Sequence, residues 1–355
     1  MSAPRTIDVL VVGLGPAGAS AATVLAQAGH SVLGVDRKVE AGQPVQCAEF
    51  VPAVIGGEVP QLSAVTLQPI DHMLTYVEAD HPDEMANFPG QMIDRRAFDV
   101  HLVGEAMRAG AECRFGLIAR SISADGEVDL GDLRVRPRLL IGADGPRSVV
   151  GRAIDRTNED LVETRQIRVP LNDPHSATDI FLSAEIAGGY GWLFPRGDTA
   201  NLGLGVRPGD RAHLKPLLEH LHARLQAEGR VGAEILGHTG GAIPVGGMLD
   251  PVGCLGEAPV LLAGDAAGLT NPVTGAGINS AAISGRMAGE AAQDWLAGDR
   301  DAPDDYREEL TFLFGKALDR AKCRREAVLA TYQHGGPTGR DLRNGWIAYP
   351  EYWAA

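Results

Sequence analysis

Residues 7–36 read IDVLVVGLGPAGASAATVLAQAGHSVLGVD. The run 7–12 is apolar without alternation, the pattern of a parallel strand buried on both faces. Gly13-x-Gly15-x-x-Gly18 follows, then a small-residue helix from about Ala17 to Ala28, ended by Gly29. Residues 31–35 make a second strand, closed by Asp36, which completes a βαβ unit. In that order each glycine has a task. Gly13 permits the tight turn, Gly15 lets backbone approach a pyrophosphate, and Gly18 lets helix pack on strand. The first helical turn, with Pro16 and Ala17, offers free amides and a partial positive charge to phosphates. Asp36, followed by Arg37, stands where ribose hydroxyls are read. The pattern alone does not separate FAD from NAD(P).

Two further turns carry the decision. Gly142-Ala143-Asp144-Gly145 follows the apolar strand LLI. Gly264-Asp265-Ala266-Ala267-Gly268 follows PVLLA and leads into Asn271-Pro272 and Thr274-Gly275-Ala276-Gly277-Ile278-Asn279. Residues 275–279 form a glycine-rich turn opening a helix, whose amides and dipole favour negative charge.

This trio of GxGxxG, DG and GD motifs resembles the flavoproteins of the para-hydroxybenzoate hydroxylase fold. The resemblance implies FAD. Asp265 would hold a ribitol or ribose hydroxyl, Arg95 in IDRRAFD would sit near the FAD backbone, and Asp144 would lie close to the pyrophosphate. Gly264, Pro272, Gly275, Gly277, Ile278 and Asn279 complete the expected cofactor set. Two more segments are similar to the geranylgeranyl reductase family: Tyr190-Gly-Trp192-Leu-Phe194-Pro195, and the loop Gln43-Pro-Val-Gln-Cys47-Ala-Glu49. Ala48 stands where that family commonly has Gly, and its C-terminal lipid-tunnel elements are not recognisable here. The likeness spans about residues 5–295.

The expected fold is α/β: a Rossmann-type FAD-binding domain (1–60, 91–155, 255–300) with an inserted antiparallel substrate domain (61–90, 156–254), then a C-terminal helix and tail (301–355). A helix is expected over 94–109 with Phe98, Leu102, Val103 and Met107 on one face. Alternation over 160–250 reads as an antiparallel sheet with one solvated face, interrupted by a charged helix near 210–228. Residues 40–60 and the last 24 read as irregular, and 303–331 as a charged amphipathic helix. On that helix Lys316, Arg320, Lys322, Arg324 and Arg325 alternate with acids, the pattern of a solvated face.

The resemblance implies that reduced FAD gives a hydride to an alkene of an isoprenoid or related substrate. Cys47 would lie at the flavin as proton donor or substrate contact, or be a small packing residue. Tyr190 and Trp192 share one side of a strand, lining the substrate cavity or packing as core aromatics. Fold does not decide function. Hydroxylation of an aromatic substrate stays open, including a protein tryptophan in quinone-cofactor maturation, because a short C-terminal region would expose the flavin to bulky substrates. A non-catalytic flavin-binding partner protein is the reading from another class. No second strand–GxGxxG–helix unit occurs; Gly203-x-Gly205 lacks its third glycine. NAD(P)H therefore visits transiently, or an external donor protein supplies electrons. Trp346, Tyr349, Tyr352 and Trp353 would cap the cavity, meet a partner or pack on the domain.

The bulk composition narrows the rest. A chain of 355 residues with 45% hydrophobic content can bury a large core. A net charge of −14 disfavours nucleic acid. Four scattered cysteines without CxxC point to the cytoplasm rather than to disulfides or zinc, and the histidines include no HExxH, so no metal is expected. The long uncharged stretches at 9–29 and 266–285 are broken by Gly and Pro, which disfavours a membrane span. Peripheral membrane contact is left open.

Overall fold

The computed structural model describes residues 3–53, 62–78 and 81–354. Residues 54–60 of the expected irregular stretch lie outside them. The described residues form three sheets. The first is built on the opening βαβ unit and has the order Val252–Leu255 (β18), Ala258–Leu262 (β19), Arg134–Gly142 (β11), Arg5–Val12 (β1), Val32–Asp36 (β2) and Glu112–Phe115 (β8). From β19 to β8 all neighbours are parallel. Its strands carry Val, Leu and Ile on both faces because helices cover both sides. The helix α1 (Pro16–Gln27) leads out of the Gly turn, and α5 (Ile278–Ala297) lies against it. Their small residues permit that approach: a Cβ on Gly285 would stand 2.0 Å from Ala17 O. The boundary expected after residue 254 falls inside β18, which pairs within this sheet.

The second sheet has the order Gly237–Thr239 (β16), Leu161–Pro170 (β12), Thr199–Val206 (β15), Gly191–Arg196 (β14), Ala177–Leu182 (β13), His72–Val77 (β5) and Asp83–Met85 (β6), with Ala242–Pro244 (β17) also paired to β12. The expectation of one solvated face fails here. The strands β13, β14 and β15 are buried on both faces. One face packs under α4 (Leu214–Ala227) through Leu214, Leu218, Leu221 and Leu225. The other packs Ile180, Trp192 and Phe194 against Met92, Leu342 and Trp346. The third sheet joins Phe50–Pro52 (β3), Gly90–Ile93 (β7) and Thr66–Ile70 (β4) beside the Cys47 loop.

The helix α2 (Arg95–Ala109) starts at Asp94, whose Oδ1 accepts the Ala97 amide at 2.9 Å. Its inner face holds Phe98, Leu102 and Val103, whereas Met107 points to solvent. The expected helix over 303–331 runs unbroken from Ala302 to Thr331, as α6 (Ala302–Leu310) and α7 (Lys316–Thr331) with a π-helical turn at Thr311–Gly315 between them. The tail is not irregular: α8 (Gly339–Asn344) and α9 (Pro350–Trp353) fold back, burying Trp346 and Tyr352. Nor is the basic run wholly solvated, since Arg325 faces inward.

Candidate functional site

The three glycine turns converge. Gly13, with φ +95°, abuts the second motif: a Cβ there would lie 2.2 Å from Ala143 O, and the Ala143 amide donates to Val12 O at 2.8 Å. Gly15 is the opposite case, since no protein atom lies within 4 Å of where its Cβ would be. That open space beside the α1 N-terminus is the room a pyrophosphate needs. Asn158 Nδ2 ties the second and third turns, donating to Pro146 O at 3.1 Å and Asp265 O at 2.9 Å.

The acids sit differently from one another. Asp36 uses Oδ2 for the Leu14 amide at 2.8 Å and Oδ1 for the Lys38 amide at 2.9 Å, bracing the first turn. Arg37, just beyond, is exposed. Asp144 turns toward α3 (Val149–Ala153), accepting from Ser148 Oγ at 2.5 Å and from the Val149 amide at 2.6 Å. Burial pushes its pKa up against those hydrogen bonds. Asp265 Oδ1 accepts from Thr270 Oγ1 at 2.7 Å. Burial raises its pKa too, and the Thr270 bond and the charge of Arg95 oppose the rise. Beyond Asp265, Asn271 Oδ1 accepts the amides of Val273 and Thr274 at 2.9 and 3.0 Å, shaping the 271–277 turn that carries Pro272, Gly275 and Gly277. The turn delivers Ile278 to the first position of α5. The next residue, Asn279, has a buried Oδ1 with no hydrogen-bond partner, an acceptor left over where a cofactor is expected. Open space at Gly15, a helix N-terminus beside it and an orphaned acceptor at Asn279 fit FAD along these turns.

Tyr190 and Trp192 lie together, ring centroids 5.7 Å apart. With Val162, Val245 and the loop Pro272–Gly275 they wall a half-open chamber with a cavity volume of about 30 Å³. Tyr190 donates its hydroxyl to Thr274 O at 2.6 Å, which fixes it to the expected flavin loop. Burial raises its pKa, so the phenol stays protonated. Gly203 opposes Trp192 across the β14–β15 pair and makes room for the indole, since a Cβ would lie 2.4 Å from Trp192 Cζ2. The ANLGLGV run therefore serves packing, not a second nucleotide.

Cys47 is half-buried and lies close enough to Tyr190 to act on its phenol electrostatically. The Glu49 amide donates to its Sγ at 3.2 Å. Arg95 stands over it, with Nε donating to Asp99 Oδ1 at 2.8 Å. Burial opposes the Arg95 charge, but Asp99 and the Cys47 thiol outweigh it and hold its pKa above the usual arginine value. Cys47 O accepts from Gln166 Nε2 at 3.2 Å, and Gln166 Oε1 accepts from Trp192 Nε1 at 2.9 Å.

Sequence reasoning missed the residue that holds this loop. Glu49 is 1% exposed, has φ +71°, and is the hub of the local polar network. Its Oε2 accepts from Arg168 Nη2 at 2.8 Å, Arg196 Nε at 3.1 Å and Asn201 Nδ2 at 2.9 Å, while Oε1 accepts the Arg95 amide at 3.1 Å. A carboxylate inside AEFVP is a visible anomaly, but its partners come from distant strands.

No helix among the described residues is long and apolar enough to cross a membrane, and no group of His, Cys, Asp or Glu is arranged to hold a metal. The family model described as the geranylgeranyl reductase catalytic domain matches residues 161–243, the strands that wall the chamber. Digeranylgeranylglycerophospholipid reductase 2 of Methanopyrus kandleri is 34% identical over 347 residues, covering 89% of this chain and 86% of that protein. The crystal structure of a geranylgeranyl bacteriochlorophyll reductase-like protein from Thermoplasma acidophilum superposes with a TM-score of 0.82 at 26% identity, covering 96% of this chain and 90% of that one. PqsL of Pseudomonas aeruginosa, described as a probable FAD-dependent monooxygenase, shares the fold alone, with a TM-score of 0.71 at 19% identity over 95% of this chain and 98% of that one. By its fold, its motifs and its relatives, the chain belongs to the geranylgeranyl reductase family of FAD-dependent oxidoreductases.

Proposed function

We propose that this enzyme reduces carbon–carbon double bonds in the prenyl chain of a lipid, the substrate class named for its relatives. The observation that carries this reading is the chamber, which is largely apolar, narrow and bounded on one side by the loop Pro272–Gly275. Bound and reduced, FAD supplies the hydride. The chain supplies orientation, exclusion of water and the proton. The candidate cofactor residues are those of the three turns, with Arg37 at the rim. Val162, Ile243, Val245 and Trp192 form walls that fit an alkene chain. Tyr190 is a wall residue and not the acid, because its proton is already given to Thr274 O. Cys47 Sγ is the proton donor, set between the Glu49 amide and Arg95.

Trp346, packed at a tilt against Tyr190, closes the tail over the chamber and favours a chain-like substrate over a protein side chain. The reductant is NAD(P)H as a transient visitor or a donor protein. Four free cysteines, two of them exposed, suit the cytoplasm. The test is anaerobic mixing of the reduced, flavin-loaded protein with geranylgeranyl lipids. Flavin reoxidation with gain of one H₂ per alkene supports the reading. Failure to reoxidise, with hydroxylation of an aromatic compound once O₂ is admitted, overturns it.

A further inference from the structure

Two transverse rows of the second sheet hold the Cys47 loop. In the first, Thr239, Gln166, Gly203 and Trp192 stand side by side across β16, β12, β15 and β14. In the second, Arg168, Asn201 and Phe194 cross β12, β15 and β14. The second row takes the Glu49 carboxylate through Arg168 and Asn201, and Asn201 Nδ2 also donates to Ala48 O at 3.1 Å. The first row takes the residues just before: Thr239 Oγ1 donates to Val45 O, and Gln166 Nε2 donates to Cys47 O at 3.2 Å.

Gln166 does one thing more than its neighbours. It is buried, and its Oε1 accepts from Trp192 Nε1 at 2.9 Å. An indole nitrogen only donates and a peptide oxygen only accepts, so these two partners leave the amide a single orientation. Turned over, it would set N–H against N–H and oxygen against oxygen. Gly203 makes the contact possible. Residues directly opposite in an antiparallel pair share a face, and Gly203 lies between Gln166 and Trp192 in the row. With no side chain there, the indole crosses β15 and reaches the amide. A buried amide with both ends committed holds its two partners at a fixed separation. Cys47 is thus gripped twice, at its carbonyl by Gln166 and at its sulfur by the Glu49 amide.

We propose that Gln166 is a positioning residue: by bridging the Trp192 indole to the Cys47 carbonyl, it keeps the Cys47 thiol in register with the chamber wall that Trp192 forms. Gln166 does not itself line the chamber and acts through Cys47. The roles of Cys47 as proton donor and of Trp192 as a substrate wall rest on the reductase reading; the bridge and its hold on Cys47 do not.

The test compares four flavin-loaded proteins: the parent, Gln166→Met, Trp192→Phe, which keeps an aromatic ring but no N–H, and the double variant. Alkylation of Cys47 by iodoacetamide is followed in the oxidised protein by peptide mass, with the exposed Cys254 and Cys323 as internal standards. Each single variant should accelerate it by about fivefold, the worth of one net hydrogen bond. The double variant should react no faster than Gln166→Met, because both changes break the same bridge. In turnover on a geranylgeranyl lipid, Gln166→Met should lower kcat by up to about a hundredfold, the cost of misplacing a reacting group by about an ångström, and leave KM nearly unmoved. Parent-like alkylation in Trp192→Phe overturns the proposal, and so does a double variant whose acceleration is the product of the two single ones. A raised KM with unchanged kcat also overturns it, by assigning Gln166 to the chamber wall. Should Gln166→Met fail to fold, alkylation of Trp192→Phe decides alone. If none of the four proteins reduces the lipid while the alkylation pattern holds, the reductase reading falls and the bridge stands.

Discussion

The indole of Trp346 lies on the ring of Tyr190, centroids 4.9 Å apart and planes inclined by 59°. Tyr190 is itself pinned to Thr274 O, so the tail closes on a fixed wall of the chamber. Trp346→Ala should lower stability by about 3–5 kcal/mol, the usual cost of removing a buried Trp. It should also enlarge the space beside Tyr190. Longer prenyl chains should then gain in kcat/KM relative to shorter ones, measured across a chain-length series. An unchanged ratio would mean that Trp346 only packs.

Gly15→Val separates folding from cofactor binding. Protein atoms leave the Cβ position open, so the variant should melt within a few degrees of the flavin-free parent. Its yellow absorbance should be lost, because the branched side chain fills the pyrophosphate's room. A flavin-loaded variant would show that the pyrophosphate runs elsewhere.

Glu49→Gln removes the shared carboxylate charge while keeping its shape. Arg168 and Arg196 then lose a counter-charge, at a cost of no more than about 3 kcal/mol, since both arginines retain some contact with water. The Cys47 loop should loosen, so alkylation of Cys47 should accelerate beyond that of the exposed Cys254 and Cys323 in the same sample. Unaltered alkylation would assign the loop's rigidity to Gln166 and Asn201 instead.

Cys47→Ala should retain flavin and lose at least about a hundredfold in kcat, the low end for removing a positioned acid. Full activity would return Cys47 to a packing role.

Asp265→Asn carries a pH signature. Burial raises the folded-state pKa of Asp265 above its unfolded value. As pH climbs past about 3.9, the ordinary Asp value, the unfolded chain ionises while the folded one resists, so this group subtracts stability with rising pH until its folded pKa is passed. The flavin-free Asn variant should therefore melt higher than the parent at neutral pH, and the difference should shrink toward zero in acid. It should also bind FAD more weakly. A difference independent of pH would place the cause elsewhere.

Much of the fold was readable because the first sheet declares itself locally: GLGPAG joins strand to helix within six residues, and Asp36 closes the next strand. The buried faces of β13, β14 and β15 were not readable, since alternation marks a strand but not what later covers it. Glu49 went unseen for a related reason. Arg168, Arg196 and Asn201 stand 119, 147 and 152 residues away, and no local pattern links them. Arg325 could have been found. Leu318, Ala321, Arg325 and Val328 recur at helical spacing, and an arginine on that apolar stripe is bound to face inward.

Glu49 also has a bearing on descent. One carboxylate answers three side chains from three strands and the first amide of α2. Replacing either arginine alone leaves Glu49 with a single cationic side-chain partner, and replacing Glu49 alone strands Arg168 and leaves Arg196 to Asp94. No single substitution crosses from this arrangement to another without passing through a damaged intermediate. Positions 49, 168 and 196 are thus expected to be inherited as a block and to change in concert across kindred chains, even where the surfaces around them have drifted freely.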